Sequence, residues 1–294
     1  GTRAPRMADP AGLLARHGRS TAGGRRRAAL ALRTIQQRDG CGRALRSPEV
    51  QRLITEFLAD RELVFTGSAP LFQLVEVAAA TGLPIVVPPG IIEVAGAVDF
   101  AGGPHCVILR GEQGWDGERP TLWSSSPQPL FVVRGGDVRI ENLRLLQNSP
   151  RHGVDAEALQ VAGKDAVVRC KGVALHSHSD CGVCVSAGQL RLTDCTVNDC
   201  GGTGLILFGG EATLRSTAVE RNGRCGVYAR GSRLEFQGGN HIAENGHSGI
   251  FFAADTRGLW MKGNRLRHNG QPAVRLLEDC CLLGWEQHSG GRRR

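Results

Sequence analysis

The chain reads as an all-β solenoid, a stack of short parallel strands capped at its N-terminal end by a helix. Three observations predict this. Residues 157–286 divide into six pieces that repeat one another, and Gly182, Gly204, Gly226 and Gly249 recur at intervals of 22, 22 and 23. A fixed period of this size marks a repeat architecture. Each piece holds short alternating apolar runs, such as Leu190/Leu192, Leu205/Leu207 and Leu234/Phe236, and period-2 alternation buries one face of a strand. Gly, Asn, Asp or Ser separates the runs, and none is long enough for a helix.

Three runs fit into each coil. A propeller blade of four strands needs about 40 residues, so the repeat is too short for one. It fits a coil whose equivalent strands stack in parallel, about 4.8 Å apart. Like residues then sit on like residues, and the inward rows form a continuous aliphatic core. Asn222-Gly223, Asn245-Gly246 and Asn269-Gly270 share one turn position, where Asn and Gly are expected to supply the left-handed conformation. Asn240 and Asn264 share another, where stacked amides can hydrogen-bond from coil to coil.

Before the coils, residues 1–46 carry eleven Arg against Asp9 and Asp39, a net charge of +9. This segment is expected to be disordered and solvated, with an organelle-targeting leader near Met7 as the alternative. Residues 47–82 are expected to form a helical cap. Ser47-Pro48 is a helix start, followed by Val50, Leu53, Ile54, Phe57 and Leu58 on one face. Pro70 starts a second helix with Leu71, Leu74, Val75, Ala78 and Ala79 inward, which Gly82 ends and Pro84 cannot continue. Such a helix covers the raw strand edge of a first coil, which would otherwise invite aggregation. The solenoid then occupies 83–286 and a basic tail 287–294. Arg292–Arg294 add +3 to the overall +8, so the body 47–291 is −4 and the basic character sits in the tails. Nucleic acid is therefore disfavoured as a partner. No apolar run reaches the length of a membrane span.

The repeat over roughly 85–286 resembles the single-stranded right-handed parallel β-helix of pectin-lyase-like proteins. The segment LPIVVPPGIIEVAGAVDFAGGPHCVILRGE (83–112) is similar to that family's first coil, with Ile92 where the family often has Tyr. The N-terminal SPEVQRLITEFLADREL resembles the opening of an F-box, without its Cys/Trp-containing second half. The resemblance implies that chemistry, where present, lies on the outer face of the first strand of each coil and its neighbouring turns. There the outward residues are Val132/Arg134, Gln160/Ala162, Cys184/Ser186, Ile206/Phe208, Tyr228/Arg230, Phe251/Ala253 and Arg275/Leu277. None is a carboxylate. At these positions the family's Asp-Asp, His-Gly and Arg-x-Lys motifs and its pectate-lyase Asp-His signature are missing as well. Sugar cleavage needs carboxylates or a base.

Instead the face offers an apolar stripe of Cys184, Ile206, Phe208, Tyr228 and Phe251. Contiguous apolar patches on a surface mark interfaces. The alternatives are cover by the chain itself and a sugar platform of Tyr228 and Phe251. The polar rim of turns supplies Asp155, Asp180 and His178 as candidate catalytic residues. Of the ten cysteines, Cys170 and Cys195 fall inward and read as core residues. Cys181 and Cys184 match CxxC, yet strand parity would point them to opposite faces. His178, Cys181 and Cys200 form a conceivable zinc set, but no metal and no cofactor is expected. Without a visible signal peptide, a reducing, cytoplasmic location is expected.

The sequence thus predicts a non-catalytic scaffold that binds a protein partner, or itself, through the outer face. That reading resembles the CASH-type β-helix segments of F-box substrate adaptors and of a signalling-adaptor binding protein. The alternative is a polysaccharide lyase, hydrolase or epimerase acting on uronic-acid-containing glycans.

Overall fold

A computed structural model describes residues 62–67, 70–114, 117–150, 156–270, 272–277 and 279–284. The expected helix at 47–59, the two tails and Asp155 lie outside the described residues.

Every strand pair is parallel, and the strands form three sheets of eight, ten and eight strands. Each coil visits all three. One coil runs through Leu205–Leu207 in the first sheet, Glu211–Arg215 in the second and Ala218–Glu220 in the third. The next coil repeats the order with Val227–Arg230, Arg233–Gln237 and His241–Ala243. Eight strands in two of the sheets match the count of coils that the period implies. The register is the one the alternation dictates: Val183, Leu205, Val227 and Ile250 lie side by side and fully buried. Shifting a strand by one residue would expose that row.

Two asparagine ladders hold the turns. Asn222 Nδ2 donates to Asn245 Oδ1 at 2.9 Å, and Asn245 Nδ2 to Asn269 Oδ1 at 2.8 Å. The same oxygens accept from the backbone N–H groups of Asn222 and Asn245, and Asn245 Nδ2 also reaches the Val219 carbonyl at 3.1 Å. Asn240 and Asn264 repeat the pattern at the other turn, at 2.9 Å. These amides satisfy buried backbone groups that the ladders of the sheets cannot reach.

The left-handed backbone sits elsewhere than expected. It falls on Asp199, Arg221, Glu244 and His268, each one residue before the Asn-Gly step or its equivalent, with φ of 54°, 55°, 56° and 51°. The asparagines are selected for their side chains. The glycines after them are selected for close approach: a Cβ on Gly246 would lie 2.5 Å from the Gly223 carbonyl oxygen.

The capping helix spans Leu71–Thr81 and ends at Gly82, whose φ of 74° lets its N–H return to the Ala78 carbonyl at 2.8 Å. Leu71, Val75, Val77 and Ala78 are buried against the first strands. Between the two expected cap helices lies a strand that the pattern did not suggest. Leu63–Val64 pairs with Ile85–Val87 and extends the ten-stranded sheet by one strand. Two residues carry too little periodicity to reveal a strand.

Replacing Asn245 with Ala leaves the Asn222 N–H and the Val219 carbonyl without their partner, which should cost about 2–4 kcal/mol, read as a lower urea midpoint with unchanged slope. Gly204→Val should be at least as damaging, because a Cβ there meets Asn222 Nδ2 at 2.6 Å and Val219 Cγ1 at 2.8 Å. Leu205→Asp places an unpaired charge at a fully buried position and should prevent folding. Wild-type midpoints for these variants would contradict the register.

Candidate functional site

The outer face of the first sheet is one column across the coils: Asp99, Val132, Gln160, Cys184, Ile206, Tyr228, Phe251 and Arg275. Parity places it outside, because from Asp99 to Phe251 the neighbours on both sides of each residue are buried. Its C-terminal half is an aromatic row. Tyr228 and Phe251 meet edge to face with centroids 5.2 Å apart, and Phe208 packs on Tyr228 at 6.0 Å. The Arg275 guanidinium carbon stands 4.8 Å over the Phe251 ring. Arg230 is exposed beside the row.

The row is narrower than the sequence suggested. Phe208 is 55 % exposed, whereas Ile206, Tyr228 and Phe251 are half-buried because each ring leans on the next. Cys184 belongs to the column by register but is only 7 % exposed. The thiol of Cys181 hydrogen-bonds to it. This corrects the parity argument for the CxxC pair: Cys181 precedes the strand Val183–Val185, in the turn, so its side chain is free to fold back onto Cys184. At the other end, the column begins with Asp99, a carboxylate paired to Arg134 at 2.7 Å. The sequence alignment of repeats missed it because its coil lies before the regular period.

The rim residues separate into three groups. His176 is buried, and its Nδ1 donates to the Asn198 carbonyl at 2.8 Å. Its Nε2 therefore accepts, and His178 Nδ1 lies 3.0 Å from it. Burial pushes the His176 imidazole below its ordinary pKa, with His178 and Arg144 adding to the effect against the Asn198 carbonyl and Asp199. Asp180 belongs to a second group, with Glu157 and Cys181. One ligand atom from each lies within 4.8 Å of the others. The hydrogen-bonded Cys184, burial and the Glu157 carboxylate hold the Cys181 thiol well above its usual range. The structure thus groups Asp180 with Glu157 and Cys181, and His178 with His176. The conceivable zinc set is not assembled: the metal-capable group among the described residues contains neither His178 nor Cys200. Burial pushes the Cys200 thiol up to about 12, and it points to the Asn198 carbonyl at 3.6 Å.

The third group is structural. Arg221 clamps Asp199 with bonds of 2.9 Å and 3.1 Å and also holds Glu220 at 2.5 Å. That pairing holds the Asp199 carboxyl below its usual range. Among the described residues all nine cysteines are free thiols. No described helix is long and apolar enough to cross a membrane.

With these features placed, the family model described as "right handed beta helix region" matches residues 157–282. The described chain is an all-parallel β-solenoid, and its residues 157–282 are similar to that family. Among solved structures it is similar to the A-module of the mannuronan C-5 epimerase AlgE4 of Azotobacter vinelandii, at 16% identity over 69% of this chain and 75% of that one, with a TM-score of 0.40. A pectin methylesterase solved with a hexasaccharide gives 12% identity, coverage of 75% and 80%, and a TM-score of 0.43. The Dettilon tailspike protein gives 12%, coverage of 70% and 49%, and 0.42. At these scores the likeness is loose. No curated protein sequence matches the chain.

The histidine pair gives a pH dependence with a defined sign. The folded state holds His176 neutral below the ordinary value of 6.5, so the unfolded chain binds the proton more tightly. Its contribution is complete above 6.5 and declines as pH falls below that value toward the folded pKa. The urea midpoint should drop between about pH 7 and about pH 5, and His176→Gln should flatten that drop. An unchanged slope in the variant would remove His176 as its source.

Proposed function

We propose that this β-helix is a non-catalytic binding module that holds a uronic-acid-containing polysaccharide along the outer face of its first sheet. The observation that carries this is the shape and charge of the aromatic row. It crosses four strands, about 15 Å at the usual strand spacing, and is one side chain wide. Ile206, Tyr228 and Phe251 supply apolar edges, Phe208 an exposed ring, and Arg230 and Arg275 the only charges of the outward column positions from Gln160 onward. A stable protein interface buries about 800 Å² per partner, which calls for a broad patch. A linear polymer needs only a track. Aromatic and aliphatic side chains take the C–H faces of sugar rings, and guanidinium groups take carboxylates by bidentate hydrogen bonds. The same track bears no carboxylate that could serve as acid or base, which favours holding over cleaving.

The protein-partner reading expected from the sequence keeps one supporting observation, the exposed Phe208. Polymannuronate, polygalacturonate and neutral dextran distinguish the two. The proposal expects retardation by the two acidic polymers in affinity electrophoresis, weakening with salt as exposed charges do, and none by dextran. Arg230→Gln with Arg275→Gln, and separately Tyr228→Ser with Phe251→Ser, should each abolish the retardation. The aromatic double variant should also lose about 1–2 kcal/mol of stability, because edge-to-face pairs contribute about 0.5–1.5 kcal/mol beyond burial. Dextran binding as strongly as the acidic polymers, or no retardation at all, would end the proposal. Association of the chain with itself that depends on Phe208 would favour a protein interface.

A further inference from the structure

A cavity of about 320 Å³ opens between the capping helix and the first coils. It lies at the opposite end of the outer face from the aromatic row. Val75 and Ala79 of the helix and Phe100 and Val107 of the coils give it apolar walls, and half-exposed Phe72 lines it as well. Three carboxylates line it from three different elements: Glu76 from the helix, Asp99 from the strand Val98–Phe100 and Asp137 from the strand Asp137–Glu141. His105 completes the polar lining, and no Arg or Lys lines it.

We propose that this cavity is a binding site for a single neutral sugar ring, with Phe72 as the stacking surface and Asp99, Asp137 and Glu76 as partners of its hydroxyl groups. Size is the first argument. Small-molecule pockets span about 300–1,000 Å³, and this one stands at the lower end, at the scale of a monosaccharide. Charge is the second. A cavity with no lysine or arginine in its lining offers an anion no partner. Nor does it call for a cation, because Asp99 is paired with Arg134 at 2.7 Å and Asp137 with Arg169. Carboxylates fixed in this way keep lone pairs free to accept from hydroxyl groups. Burial raises the Glu76 carboxyl above its usual pKa. An apolar face beside convergent polar groups is what one pyranose ring presents in mirror image. This ligand differs in charge from that of the aromatic row, so the two sites stand or fall separately.

Saturation-transfer NMR on the full chain with methyl glycosides of glucose, galactose, mannose and N-acetylglucosamine tests the site. At least one should show transfer with millimolar affinity. Ala97→Trp, which places a bulky ring in the lining, should abolish it. Phe72→Ala should reduce affinity about tenfold, as should Asp99→Asn, the loss expected for one charge-assisted hydrogen bond. Phe72 is half-exposed, so its variant is expected to fold whatever the fate of Ala97→Trp. Tyr228→Ser with Phe251→Ser should leave the transfer unchanged. Absence of transfer from all four sugars, or transfer that persists in both Ala97→Trp and Phe72→Ala, would overturn the proposal.

Discussion

The structure depends on one constraint: no coil satisfies its own backbone. The strand Leu205–Leu207 hydrogen-bonds to Val183–Val185 on one side and Val227–Arg230 on the other. The turns obey the same rule through side chains, since the carboxamide of Asn245 serves Asn222 in the coil before it and is served by Asn269 in the coil after. Stability in such a stack is close to a sum of neighbour terms. Errors at one level are therefore felt at the next, and the ends need separate treatment.

The N-terminal end has that treatment. The helix Leu71–Thr81 lies on the first strands, and Leu63–Val64 adds a short strand beyond Ile85–Val87, tied by Arg110 to Glu62 at 2.9 Å. Covering an edge with a helix and keeping the outermost strand short are both ways of blunting a template for strand addition. The same cover creates the cavity lined by Glu76, Asp99 and Asp137.

The outer face expresses the same stacking in its chemistry. Identical positions in successive coils lie side by side, so one aromatic position becomes a row. The rings then lean on each other, which lowers their exposure and orders them. Surface charge follows the same logic: Arg221 pairs across coils with Asp199 and also holds its own neighbour Glu220. A polar rim rich in Asp, Glu and His is thus largely committed to holding turns together.

The sequence by itself determined the coil, the register and the core. Alternation such as Leu205/Leu207 states which face is buried, the period states what stacks on what, and both are properties of neighbours along the chain. It also placed Ile206, Tyr228 and Phe251 outside and stacked the two asparagine ladders. It could not show that the left-handed residue is Arg221 and not Asn222, because local preference favours Asn there and only the carboxamide's inward hydrogen bonds override it. Nor could it show that Cys181 turns back onto Cys184, that Asp180 joins Glu157 while His178 joins His176, or that Glu76, Asp99 and Asp137 share one cavity. Those meetings are between residues on different coils or on a turn outside strand parity. Their distances are set by how the coils stack and how the helix lies across them, and no local pattern carries that information.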